Sequence, residues 1–300
     1  MSTILQNVAV VGASGNLGAP IVKELLAQGF NVTVITREGS SSVFPSSVTV
    51  KKLDVRSVPA LTTAFRGQDA VVNAAAKSAV EDQLPLIDAA LAAGVQRFLP
   101  AEFGINQKTP STHAFAVIVK DKAKVVDYLV RKANENAKFS WTGLSVGLFL
   151  DWALVNGLAG FHKATRTAEI FDSGNETFHA SSLGFIGRAV AAVLSRPSAT
   201  ANKYLVVSGV SPTQNEILRV IETATGQKWA VKHVDSKEKK KQGIAALEKS
   251  DYNGAFLPLL HHYLFSDGGG NGISLENSDN AVLGLEADDL PELIKSSLMN

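Results

Sequence analysis

The chain has 300 residues, 45% hydrophobic and 19% charged, enough to bury a sizeable core. A net charge of +1 gives no electrostatic footprint for nucleic acid or an anionic membrane, and the lack of cysteine excludes disulfides, thiolate nucleophiles and Cys-ligated zinc. No basic leader and no apolar run of roughly 18–20 residues is present, so a cytoplasmic protein without a membrane span is expected.

In chain order, 8–11, 31–36, 48–53, 70–74, 97–100 and 140–146 read as strands, rich in β-branched residues. Between them 19–28, 58–65, 82–93 and 114–132 carry helical periodicity, with Gly29 and Gly94 as left-handed caps after two of them. Strand and crossover helix in alternation predict an α/β fold, a doubly wound parallel Rossmann sheet spanning 1–150. Residues 151–300 are looser. They read as a smaller α/β substrate-binding domain over the carboxyl edge of the sheet, with a strand near 204–207 returning to the main sheet. Within it, 169–178 reads as a hairpin, 183–194 and 290–298 as helices, and 213–225 as a helix opened by a Thr213–Glu216 capping box. The charge run 237–241 reads as solvated surface.

The strongest motif is Gly12-Ala13-Ser14-Gly15-Asn16-Leu17-Gly18, between the first strand and the first helix. In that context G-x-x-G-x-x-G is a dinucleotide turn. The first glycine makes the bend, the second admits the pyrophosphate, and the third lets helix and strand pack closely. Arg37 ends the second strand, where NAD sites carry a carboxylate and NADP sites an arginine for the 2′-phosphate, so NADPH is favoured. Ser40, Ser41 and Ser42 offer further donors, and Glu38 should point to the other face. Asp54, ending the third strand, is placed to meet the adenine, and Ala75 and Gly147, just past the fourth and sixth strands, are also assigned to the cofactor.

The reacting end offers a choice of lysines. Tyr128-Leu129-Val130-Arg131-Lys132 matches the Tyr-x-x-x-Lys pair of short-chain dehydrogenases but falls near the far end of its helix. Lys122 precedes Lys132 by ten residues, about 15 Å along the axis, so the two cannot serve one site. Lys122 is the candidate catalytic lysine and is also assigned to the cofactor as a ribose-binding residue; Lys120, about 160° around the helix, is its rival. The histidines His113, His162, His179, His261 and His262 form no spacing suited to a metal, and none is expected.

With these motifs in order, followed by Asp82-Gln83-Leu84 and Arg97-Phe98-Leu99-Pro100-Ala101-Glu102-Phe103-Gly104, the chain resembles the NmrA-like family, which includes isoflavone reductase and phenylcoumaran benzylic ether reductase. Ala101 stands where the family hallmark has serine. The segment Asp121-Lys122-Ala123-Lys124-Val125 resembles the stretch with the family's essential lysine, which the resemblance places on Lys122. It implies an NADPH-dependent reductase of a small aromatic or secondary-metabolite substrate, with Phe103, Phe149, Trp152 and Phe161 as candidates for an apolar wall. A redox-sensing regulator of the family's namesake type, or a redox-neutral isomerase or dehydratase, are the alternatives it leaves open.

Overall fold

The computed structural model describes residues 5–75, 80–105, 113–269 and 272–298. Its first half runs β1 (Asn7–Val11), α1 (Gly18–Ala27), β2 (Asn31–Arg37), β3 (Thr49–Leu53), α2 (Val58–Phe65), β4 (Ala70–Asn73), α3 (Val80–Ala92), β5 (Arg97–Leu99), α4 (Ala116–Glu135) and β6 (Ser140–Ser145). The second half continues with β7 (Leu148–Phe149), α5 (Leu150–Val155), β8 (Phe161–His162), β9 (Thr167–Phe171), β10 (Ala180–Ser181), α6 (Leu183–Ser195), α7 (Pro197–Thr200) and β11 (Lys203–Val206). It closes with α8 (Gln214–Thr225), β12 (Ala230–Val234), α9 (Ser236–Glu248), α10 (Tyr252–Phe265), α11 (Asn280–Leu283) and α12 (Leu290–Leu298).

Seven strands form one parallel sheet in the order β11-β6-β5-β4-β1-β2-β3. Alternation along β1 explains why both faces are covered. Val8 and Val10 pack with α1 and α6 through Ile21, Leu25, Phe185 and Val190, while Ala9 and Val11 pack with α2, α3 and α4 through Leu61, Ile87 and Val125. The strand order reverses at β1, which pairs with β2 on one side and β4 on the other. A crevice opens at the carboxyl ends of strands at such a reversal, and this is where ligands sit in open α/β sheets.

A further core gathers Leu150, Phe161, Phe171, Ile217, Leu259, Phe265 and Ile294 from the second half, together with Phe115 from just before α4. The second half is not confined to it. α6 packs on α1, and β11 extends the main sheet beside β6. α8 begins with the Thr213–Glu216 capping box and ends at Gly226 in the left-handed region. The charge run opens α9, whose Lys237 and Lys241 are exposed.

The hairpin expected over 169–178 does not form. β9 pairs antiparallel with β8 before it and parallel with β12, and β10 pairs with β7 instead. The 172–175 turn is held from outside by other elements. Ser236 donates from its backbone and hydroxyl to Asp172, and Asn215 donates to Ser173 O and Asn175 Oδ1. Turn residues alone mark a change of direction and leave the partner strand unspecified.

Candidate active site

The glycine turn divides into three kinds of residue. Gly12 has φ +79°, and a Cβ there would lie 2.6 Å from Ala75 N; a Cβ on Gly18 would lie 2.1 Å from Gly12 O. Both glycines are therefore required by the protein's own packing. Ala13 and Leu17 point into the core. Ser14, Gly15 and Asn16 are exposed, and a Cβ on Gly15 would meet only Gly12 O, at 3.3 Å. No side chain caps the start of α1, so the positive end of the helix is left open at the turn.

A cleft of about 830 Å³ runs from this turn across the ends of β2 and β3. Gly12, Ser14, Gly15, Arg37, Asp54 and Ala75 line it, which brings together six of the residues assigned to the cofactor from sequence. Arg37 is exposed, and its guanidinium makes no hydrogen bond or ion pair with another described residue. Ser40 and Ser42 line the same end, and so does Glu38. Sequence reasoning missed Arg56, which lines the cleft and faces Asp82 of α3 at 3.7 Å. Its position two residues beyond Asp54 was the available signal.

Lys122 stands in the second turn of α4, half-buried, and donates from Nζ to Ala101 O at 3.2 Å. Lys120 is exposed. Tyr128 lies further along, about 9 Å down the axis, and donates to Asp88 of α3 at 2.5 Å. Burial, and then that carboxylate, push its phenol up to about 12, while Lys132 is paired with Glu135 at 2.9 Å. The Tyr128–Lys132 string therefore serves the helix contact and not the carboxyl edge of the sheet.

Beside Lys122, the segment after β5 is tied to the end of β6. Gly104 O accepts from Val146 N, Gly147 N and Ser145 Oγ, each at 3.0 Å. Gly147 does not line the cleft. Its φ of +69° lets the chain pass His179, whose carbonyl would lie 2.2 Å from a Cβ at that position. His179 is buried with Nε2 at 2.6 Å from Val207 O, and burial holds its imidazole below the ordinary range.

The four aromatics assigned to a substrate wall separate. Phe149 is half-buried against the first core, and Trp152 is 36% exposed. Phe103 is only 9% exposed. Phe161 is a correction: it is fully buried in the second core, edge-on to Trp229, because β8 alternates and turns His162 outward instead. Asp151 ties the start of α5 to that of α6, accepting from Trp152 N and Leu183 N, and burial raises its carboxyl. Among the described residues no group of three or more histidines and carboxylates is arranged to hold a metal. No helix among them is long and apolar enough to cross a membrane.

The NmrA-like family profile matches residues 5–256. Oxidoreductase aprR of Aspergillus flavus is 37% identical over 297 residues, covering 97% of this chain and 98% of the relative. Phenylcoumaran benzylic ether reductase IRL1 of Ginkgo biloba is 26% identical, covering 93% and 92%. Among solved structures, AtPrR2 with NADP+ and (+)-pinoresinol shares the fold with a TM-score of 0.78 at 20% identity, covering 99% of this chain and 100% of that one.

Proposed function

The chain belongs to the NmrA-like family, and we propose from that premise that it is an NADPH-dependent reductase of an aromatic or secondary-metabolite small molecule. The observation that carries this reading is the Lys122 ammonium on Ala101 O, just past the carboxyl end of β5, the edge of the sheet at which the glycine turn follows β1 and Arg37 ends β2. The names of the fungal and plant relatives, oxidoreductases and reductases, support the same class of chemistry.

The residues present fit the cofactor. Gly15 offers an exposed surface without Cβ at the uncapped start of α1, where a pyrophosphate is stabilised by backbone N–H groups and the helix dipole. Arg37, unpaired among the described residues, suits a 2′-phosphate by bidentate bonding. Bound NADPH supplies the hydride. Lys122 holds a proton at Nζ for the substrate atom that becomes negative, and Phe149 with Trp152 offers apolar surface to a flat ring. On this reading, the second half of the chain, apart from α6 and β11, supplies the substrate side.

The test is Lys122→Ala, followed by NADPH oxidation against a panel of enones, benzylic ethers and quinones. Turnover should fall by at least about 100-fold, while NADPH titration stays within about threefold. Wild-type turnover in the variant would remove the lysine from the chemistry.

A further inference from the structure

Gln83 lies in the first turn of α3 and is 1% exposed. A carboxamide buried so completely must have its polar atoms engaged, and the partners of its oxygen lie on both neighbouring strand ends. Gln83 Oε1 accepts from Asn73 Nδ2 at 3.2 Å and from Ala101 N at 3.0 Å. Asn73, fully buried at the end of β4, accepts in turn from Ala75 N at 3.2 Å. Ala75 is the residue against which Gly12 packs so closely that no Cβ fits. One side-chain oxygen therefore connects the wall of the glycine turn to the backbone just after β5.

Two peptide planes carry that connection onward. The bond from Ala101 N fixes the Pro100–Ala101 peptide, and with it the direction of Pro100 O. Pro100 O accepts from Glu102 N at 2.8 Å, which fixes the Ala101–Glu102 peptide. The carbonyl of that second peptide is Ala101 O, the acceptor of Lys122 Nζ. Because peptide units are planar, restraining one edge of each orients the other edge.

We propose that Gln83 is a positioning residue, setting the Lys122 ammonium relative to the cofactor turn through the Ala101 backbone. Its catalytic consequence rests on the role proposed for Lys122; the positioning does not. The part of Gln83 that the proposal uses is its accepting oxygen. Glutamate at this position retains the accepting oxygen, asparagine withdraws it by one methylene, and methionine deletes it.

The experiment is competitive labelling of the whole protein with trace acetic anhydride, read at each lysine by mass spectrometry. In Gln83→Met and Gln83→Asn, labelling of Lys122 relative to Lys120 should rise about three- to tenfold as the ammonium loses its fixed acceptor. In Gln83→Glu the ratio should stay at or below the wild-type value. An unchanged ratio in both Met and Asn variants overturns the proposal, as does an equal rise at Lys120 and Lys132, which reports general loosening. If the Met and Asn variants do not fold, a raised ratio in the Glu variant overturns it and a retained one supports it. Where turnover is measured, kcat should fall in the Asn variant with KM for NADPH nearly unchanged. Persistence of turnover in Lys122→Ala would sink the functional reading and leave the labelling result standing.

Discussion

Tyr128 donates its hydroxyl proton to Asp88, and this bond closes α4 onto α3 beside the core layer of Leu61, Ile87 and Val125. The same tyrosine heads the sequence string that most resembles a dehydrogenase catalytic pair. Its phenol, pushed up to about 12 first by burial and then by Asp88, is held protonated, with its hydroxyl engaged on a carboxylate of α3. Tyr128→Phe is therefore expected to leave turnover within about twofold and to lower stability by about 1–2 kcal/mol, read from the denaturant midpoint. A large loss of turnover at unchanged stability would restore the string to the active site.

Arg37 supplies the second prediction. It lines the cleft without an ion-pair partner among the described residues, so its removal disturbs no internal contact. Arg37→Ala should weaken NADPH by about 10- to 100-fold and NADH by less than about threefold, measured by titration of both cofactors. Equal losses for the two would overturn the assignment of the 2′-phosphate to this residue.

The glycine turn allows structural and ligand-binding roles to be separated. Gly12→Ala combines a positive φ with a Cβ 2.6 Å from backbone nitrogen, so loss of folded protein is expected. Gly15 has neither constraint to the same degree, its nearest atom lying at 3.3 Å. Gly15→Ala should fold with a change of about 1 kcal/mol or less and still weaken NADPH by at least about tenfold. Thermal unfolding with and without NADPH checks both halves.

What the sequence made legible follows from how local each signal is. The apolar run Val8–Val11, the glycine turn and Arg37 at a strand end are properties of a few neighbouring residues, and the turn and Arg37 line the cleft. Phe161 was misread because its direction depends on β8, a two-residue strand too short to show a period. At Ala101 the chain lacks the hydroxyl of the hallmark serine. The group that meets Lys122 there is the backbone carbonyl, which every residue carries. Gln83 gave no local sign of its contacts, since its partners lie on other elements, and for Arg56 only its nearness to Asp54 pointed to the cleft.

His261 gives a prediction that is independent of the cofactor. It is buried in α10 among Phe171 and Phe265, with Nε2 at 2.9 Å from Leu158 O. Burial lowers its imidazole from 6.5 to about 4, so the folded protein keeps it neutral and donating to that carbonyl. A histidine depressed in the folded state contributes nothing to pH dependence well above 6.5. As pH falls from 6.5 towards 4 the unfolded chain takes up a proton that the native state refuses, and stability drops by at most about 3 kcal/mol from this group. His179 and His262, also lowered by burial, act in the same direction. His261→Gln retains an N–H that reaches the Leu158 carbonyl and does not titrate. Urea midpoints at pH 7.5, 6.5, 5.5 and 4.5 should therefore show a shallower decline in the variant than in the wild type. Parallel declines would mean that His261 accepts its proton in the folded state, and that the acid sensitivity of the second core lies elsewhere.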